Sequence, residues 1–96
     1  MRMKGKNILV TGAARSIGRA CAERFAEEGG NIAIVDMLEE AGQKTAAEIA
    51  EQFGVKTAFY KCDVGIKVEV DTTVDKVVED FGHIDVLVSN AGIQRR

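Results

Sequence analysis

The feature that most constrains the fold of this 96-residue chain is the stretch Asn7–Arg19, with the sequence NILVTGAARSIGR. A short β-branched run leads into Thr11 and Gly12, and a helical pattern begins at Ile17 and Gly18. A buried strand that ends in a glycine turn before a helix predicts an anion site, because unpaired backbone N–H groups and the positive end of the helix dipole meet there. Any tight strand-to-helix turn could use two such glycines, so the turn alone leaves the ligand open.

Predicted strands and helices alternate along the chain. The strands are expected at residues 7–10, 31–35, 55–60 and 84–89, and the helices at residues 17–28, 39–53 and 67–81. Each helix is expected to bury one face: Ile17, Cys21 and Phe25 in the first, Gly42, Ala46, Ile49 and Phe53 in the second, and Val70, Val74, Val77, Val78 and Phe81 in the third. The order β-α-β-α-β-α-β predicts an α/β fold, with a parallel sheet between helices. No linker is visible, so we expect one domain over residues 1–96.

Composition argues against several classes of partner. The net charge of −2 favours neither nucleic acid nor a membrane surface. No apolar run reaches the ~20 residues that span a bilayer, and the short apolar stretch after the basic N-terminus does not make a signal peptide. Cys21 and Cys62 form no CxxC motif, and the chain has one histidine. We therefore expect a reduced, cytoplasmic protein without a metal site.

An acidic residue follows the second predicted strand. Asp36 stands 18 residues after Gly18, near the ~20 expected when a carboxylate accepts hydrogen bonds from the ribose of a dinucleotide. Asp36, with Met37 beside it, is therefore a candidate nucleotide-binding position. An aspartate at this place could instead cap the helix that follows, and the sequence leaves both roles open.

Three motifs follow one another along the chain. Residues Thr11–Gly18, TGAARSIG, are similar to the fingerprint TGxxxGxG, and Asp63-Val64 looks like an acidic pair that contacts adenine. Ser89–Gly92, SNAG, is similar to the motif NNAG. In this order and spacing they resemble the N-terminal, cofactor-binding half of the short-chain dehydrogenase/reductase (SDR) family, and the resemblance spans essentially the whole chain.

The resemblance implies a three-layer Rossmann-type sheet with strand order 3-2-1-4, and an NAD-dependent oxidoreductase that exchanges hydride with an alcohol or ketone. The glycine turn would hold the pyrophosphate with a backbone donor from Ile17, and Asp36 would bind the adenosine ribose. Asp63 and Val64 would contact adenine, and residues 90–92 would line the path to the nicotinamide ribose. The implied cofactor-binding residues are Gly12, Arg15, Ser16, Ile17, Gly18, Asp36, Met37, Asp63, Val64, Asn90, Ala91 and Gly92.

Two residues of the turn bear on the cofactor. Ser16 stands where the fingerprint has glycine. If this position needs a positive φ, serine costs about 1–2 kcal/mol; otherwise Ser16 caps the helix and offers its hydroxyl to a phosphate. Arg15 could pair with the 2′-phosphate of NADP, a contribution of about 1 kcal/mol or less. Asp36 would repel that phosphate by about 4 kcal/mol at ~4 Å and an effective dielectric of ~20, so we expect NAD(H).

The family's catalytic Tyr-x-x-x-Lys segment has no counterpart in this sequence. Tyr60 is followed four residues on by Val64, and Ser89 belongs to the NNAG-like motif. We therefore expect no catalytic residue here, and a chain that is inactive alone because it is truncated. The alternative is a catalytically silent dinucleotide-binding module. A Rossmann methyltransferase fits the motifs less well, and a P-loop kinase would need Gly-Lys-Ser/Thr after the turn.

The implied strand order also predicts an association surface. It places the strand at residues 84–89 at an edge of the sheet, and an apolar edge strand promotes pairing with another chain. We therefore expect self-association, or pairing with a C-terminal segment, along this strand.

Overall fold

The computed structural model describes residues 2–14 and 16–90, and within them four strands alternate with three helices. In chain order these are β1 (Asn7–Thr11), α1 (Ser16–Glu27), β2 (Asn31–Asp36), α2 (Glu39–Phe53), β3 (Thr57–Lys61), α3 (Lys67–Phe81) and β4 (Val86–Ser89). The bounds of α2 and α3 are those expected from the sequence, whereas α1 and the strands differ by one or two residues at their ends. None of these three helices is both long enough and apolar enough to cross a bilayer.

The strands form one parallel sheet in the order β3-β2-β1-β4. β1 is central, with Leu9 opposite Ala33 of β2 on one side and Leu87 of β4 on the other. The chain runs outwards from β1 to β3 and then returns to place β4 on the far side of β1. This topology confirms the predicted α/β class and strand order, and it puts a switch point of the sheet between β1 and β4.

Apolar side chains cover both faces of the sheet. On one face, Ile8 packs with Ala22 of α1 and Ile49 of α2. On the other face, Leu9 packs with Val77 of α3. Because successive residues of a strand point to opposite faces, the continuous apolar run in β1 supplies both cores at once. The three layers expected from the sequence are therefore present.

Two residues expected on buried helix faces are exposed. Ile17 of α1 is 66% exposed, and Val78 of α3 is 41% exposed. The buried residues are Gly18, Ala22 and Ala26 in α1, and Thr73 and Val77 in α3. In α1 the prediction was wrong for Ile17 alone, since Cys21 and Phe25 pack against the core as expected. The first turn of α1 lies against the preceding loop, where the close approach admits only a glycine. That contact fixes the rotation of the helix, so the smallest side chains face the sheet.

A second glycine brings α2 against β3. A Cβ atom at Gly42 would lie 2.0 Å from the ring of Phe59. Ala46, one turn further along α2, is 6% exposed. The small residues on the buried face of α2 therefore permit close packing against β3.

Polar contacts join the amino ends of β1 and β4. The Asn7 backbone N–H donates to Asp85 Oδ2 at 2.8 Å, and the Asn7 side-chain amide donates to the His83 carbonyl at 3.0 Å. His83 Nε2 lies 2.9 Å from Asp85 Oδ2. The pKa of the Asp85 carboxyl is lowered, chiefly by the hydrogen bond from Asn7 and also by His83. These contacts hold β4 beside β1.

β4 is the outer strand on its side of the described sheet. Its side chains alternate between half-buried and exposed, and Leu87 is 64% exposed. Leu87 lies opposite Leu9, which places it on the same face as α3. The described part of the chain thus leaves an apolar strand uncovered at this edge.

Candidate functional site

The turn after β1 is tied to β2. The Gly12 N–H donates to the Val35 carbonyl at 2.8 Å, and the Ala13 N–H reaches the same oxygen at 3.5 Å. Gly12 has φ = 64°, in the left-handed region that glycine occupies without steric cost. The turn therefore leaves the sheet at the carboxyl end of β1.

Gly18 brings α1 into direct contact with this turn. A Cβ atom at Gly18 would lie 1.8 Å from the Gly12 carbonyl oxygen and 3.1 Å from Ala13 Cα. The contact of α1 is thus with the turn that follows β1 rather than with the strand itself. Because the obstacle is backbone, a side chain at Gly18 could be admitted only by moving the helix or the turn.

Ser16 adopts a left-handed conformation, with φ = 60°. Among the non-glycine residues that the structure describes, only Ser16 has a positive φ. This position therefore does need a positive φ, the first of the two possibilities raised by the sequence. The serine costs about 1–2 kcal/mol of stability relative to an unstrained backbone. Such a conformation persists only where surrounding contacts impose it.

Asp36 lies at the carboxyl end of β2, beside the turn. Its Oδ2 accepts a hydrogen bond from the Ala14 N–H at 3.1 Å, and its Oδ1 accepts one from the Leu38 N–H at 3.0 Å. The carboxylate thus joins the turn to the residue that precedes α2. The N-cap position of α2 is Leu38, which has no side-chain cap hydrogen bond, so Asp36 does not cap this helix. Met37, next to it, is 57% exposed at the rim.

The loop after β3 lies beside Asp36, at the same carboxyl end of the sheet. The Cys62 N–H donates to the Asp36 carbonyl at 3.0 Å, which continues the edge from β2 into this loop. Asp63 Oδ1 accepts from the Gly65 N–H at 2.9 Å, and the Asp63 N–H donates to Glu69 Oε1 at 2.9 Å. Val64 is half-buried against the α3 core. These contacts order the loop and leave Asp63 half-buried.

The residues at the carboxyl end of β4 complete this side of the sheet. Thr11 Oγ1 donates to the Val88 carbonyl at 3.4 Å, beside the register pair Thr11 and Ser89. The Asn90 side-chain nitrogen is buried, with no hydrogen-bond acceptor among the residues described. Buried amides are normally paired, so this donor suits a ligand group or a water molecule. Arg15, Ala91 and Gly92, also expected in the site, lie outside the described residues.

A polar network between α1 and α2 was not expected from the sequence. Arg19 donates to Glu23 at 3.0 Å, to Glu48 at 2.7 Å and to Thr45 Oγ1 at 3.4 Å. The Thr45 hydroxyl also lies 2.7 Å from the Ala14 carbonyl oxygen. Hydrogen bonds to the two glutamates raise the pKa of Arg19 above its ordinary value. The i,i+4 spacing of Arg19 and Glu23 is visible in the sequence, but the partners on α2 are not.

The carboxyl ends of the four strands therefore gather the expected residues at one edge of the sheet: Gly12 and Gly18, Asp36, Asp63 and Asn90. A crevice at this edge, next to a switch point, is where open parallel α/β sheets bind ligands. Among the described residues, no group of three or more His, Cys, Asp or Glu side chains could hold a metal ion. Fold and site together define a Rossmann-type nucleotide-binding protein.

Comparison with known proteins gives the family. The sequence model described as short chain dehydrogenase matches residues 6–96. The chain is 48% identical over 94 residues to 15-hydroxyprostaglandin dehydrogenase [NAD(+)] of Bos taurus, a match that covers 97% of this chain and 35% of the relative. The chain belongs to the short-chain dehydrogenase/reductase family of oxidoreductases.

Solved structures agree with this assignment. An NAD+-bound xylitol dehydrogenase matches with a TM-score of 0.87 and 49% identity, over 91% of this chain and 33% of that one. An L-sorbose reductase from Gluconobacter frateurii, complexed with NADPH and L-sorbose, matches with a TM-score of 0.92 and 36% identity, over 97% of this chain and 35% of that one. The chain thus spans about a third of the length of the relatives it matches.

Proposed function

We propose that this chain binds NAD(H) as the cofactor-binding part of a cytoplasmic short-chain oxidoreductase that exchanges hydride with an alcohol or ketone. The observation that carries the proposal is the position of Asp36 beside the glycine turn, with its carboxylate bonded to the Ala14 and Leu38 N–H groups. Each carboxylate oxygen accepts one of these bonds, so lone pairs remain for the two hydroxyls of a ribose.

The surrounding residues fit a dinucleotide. Gly12 carries no side chain, and Gly18 lets α1 begin close to the turn, so a pyrophosphate could approach the backbone N–H groups, including that of Ile17, at the start of α1. Asp63 and Val64 would contact the adenine, and Asn90 would offer its unpaired amide towards the nicotinamide ribose. A bound nicotinamide would supply the hydride chemistry, and the residues of this chain would hold and orient it.

The preference for NAD over NADP follows from charge. A 2′-phosphate would be placed against the Asp36 carboxylate, and two like charges at ~4 Å repel by about 4 kcal/mol at an effective dielectric of ~20. The bovine relative, at 48% identity, has NAD(+) in its name, and the xylitol dehydrogenase at 49% identity is NAD+-bound. The sorbose reductase complexed with NADPH is 36% identical. These comparisons support NAD.

Catalysis would require residues beyond those of this chain. The Tyr60 hydroxyl donates to Asp80 Oδ2 at 2.7 Å, and burial together with this carboxylate raises the pKa of Tyr60. A tyrosine whose pKa is shifted away from neutrality is poorly suited to proton transfer, which supports a chain that binds cofactor without turnover on its own. In the whole protein, the substrate would be an alcohol or a ketone.

A fluorescence titration with NADH tests the proposal. We expect the wild-type chain to bind NADH, and Asp36→Ala to weaken binding about tenfold, since two hydrogen bonds to the ribose are lost. Asp75→Ala removes the same charge from an exposed position on α3 and should bind like the wild type. A folded wild-type chain that binds S-adenosylmethionine but not NADH would refute the proposal and favour a methyltransferase.

A further inference from the structure

Thr45 lies on α2, outside the residues expected to contact the cofactor, yet it reaches the glycine turn. Its side chain is almost fully buried, at 1% exposure. Its Oγ1 lies 2.7 Å from the Ala14 carbonyl oxygen and 3.4 Å from Arg19 Nη1. One buried hydroxyl therefore connects the turn to both helices on this face of the sheet.

The direction of these hydrogen bonds follows from the groups involved. A guanidinium can only donate, so the Thr45 oxygen accepts from Arg19. The single hydroxyl hydrogen of Thr45 is then free for the Ala14 carbonyl, which can only accept. Glu48 at 2.7 Å and Glu23 at 3.0 Å hold the guanidinium from two further directions. The network thus leaves the Thr45 hydroxyl one good orientation, towards the turn.

Both backbone groups of Ala14 are consequently engaged from opposite sides. Its N–H donates to Asp36 Oδ2 on β2, and its carbonyl accepts from Thr45 on α2. The Ala14 side chain is 3% exposed. Nearby, Ser16 is held at a φ of 60°, a conformation that requires outside support. Thr45 supplies a contact of that kind from an element that is distant in the sequence.

We propose that Thr45 is a positioning residue for cofactor binding. Its hydroxyl would hold the turn in the shape that receives the pyrophosphate, and would keep the Ala14 N–H directed at Asp36. This inference rests on the proposed function, because it assigns Thr45 a role in binding NAD(H). A turn that is held in place before the ligand arrives does not have to be ordered by it, and affinity improves accordingly.

The test compares three variants of the chain. Thr45→Val keeps the shape and removes the hydroxyl, whereas Thr45→Ser keeps the hydroxyl. Thr57→Val is the matched control, because the Thr57 hydroxyl donates to the Ala46 carbonyl of the same helix at 2.8 Å, on the β3 side. NADH affinity is measured by fluorescence titration, stability by urea unfolding, and the protection of the Ala14 amide by hydrogen exchange.

We expect Thr45→Val to weaken NADH binding about fivefold, the effect of one neutral hydrogen bond, and to speed exchange of the Ala14 amide. Thr45→Ser should bind within about twofold of the wild type. Thr57→Val should lower stability without changing either NADH affinity or Ala14 exchange. If Thr45→Val does not fold, Glu48→Gln, at a side chain that is 42% exposed, should produce the same two changes to a smaller extent.

Two results would overturn the inference. One is a Thr45→Val chain with wild-type NADH affinity and wild-type exchange at Ala14. The other is an equal loss of affinity in Thr45→Val and Thr57→Val, which would show that both act only through stability. A wild-type chain that fails to bind NADH would refute the proposed function instead. In that case, faster Ala14 exchange in Thr45→Val alone would still support the contact with the turn, and unchanged exchange would refute it.

Discussion

Replacing Gly18 by alanine would put a methyl group where the backbone of the preceding turn already lies. The new Cβ would be 1.8 Å from the Gly12 carbonyl oxygen and 2.5 Å from its carbonyl carbon. Both obstacles are main-chain atoms, and the turn that holds them is tied to Val35 and Asp36. Neither α1 nor the turn can therefore relax by a simple change of rotamer.

The expected cost follows from this geometry. The Cβ would lie about 1.6 Å closer to the Gly12 carbonyl oxygen than ordinary van der Waals contact allows. Either α1 or the turn must therefore move by about that distance. Overpacking of this kind costs about 3 kcal/mol or more. A domain of this length is stable by roughly 5–14 kcal/mol, so the loss would be a large fraction of the total. The shift would also spoil the turn, and NADH affinity should fall with it.

Urea unfolding of Gly18→Ala, compared with two other glycine-to-alanine variants, isolates the effect of the backbone clash. Gly18→Ala should lower the unfolding midpoint by about 2 M. Gly42→Ala should cost less, about 1–2 kcal/mol, because its obstacle is the rotatable ring of Phe59. Gly65→Ala meets only Asp63 Oδ1, at 3.2 Å, and should change little. A Gly18→Ala chain that unfolds like the wild type and binds NADH normally would refute the account of how α1 meets the turn.

Two further predictions concern β4 and the residue before it. The folded-state pKa of Asp85 is lowered, so its carboxylate contributes stability that is present above the unfolded-state pKa of about 3.9 and is lost as pH falls through the folded value. Asp85→Asn should therefore flatten the decline in unfolding free energy below about pH 5, and an unchanged acid slope would contradict this. Leu87→Lys should reduce self-association measured by light scattering at high protein concentration, because Leu87 is 64% exposed on the outer strand. A wild-type chain that stays monomeric under these conditions would count against an association surface on β4.

The fold was largely predictable because its signals are local. Glycines stop the helices, and apolar runs mark the buried strands, so α2 and α3 have the expected bounds. The prediction that failed in α1, the buried position of Ile17, depended on a tertiary contact. The contact between Gly18 and Gly12 sets the rotation of α1 and leaves Ile17 exposed, a result that helical periodicity cannot supply.

In the candidate site, too, some residues could be predicted from the sequence and others could not. Gly12, Asp36 and Asp63 follow predicted strands, and a parallel sheet brings such positions to one edge, as the structure shows. The conformation of Ser16 could not be decided, because contacts from elsewhere impose its positive φ. The Thr45 network was missed because hydrogen-bond partners 26 to 31 residues apart leave no periodic pattern.

The most direct test of the central claim is the ratio of dissociation constants for NADH and NADPH, measured by fluorescence titration of the wild-type chain and of Asp36→Ala. Repulsion of about 4 kcal/mol predicts a wild-type preference for NADH of up to about a thousandfold. The preference should narrow sharply in Asp36→Ala, because the charge that opposes the 2′-phosphate is gone. Equal or tighter binding of NADPH by the wild-type chain would contradict the account.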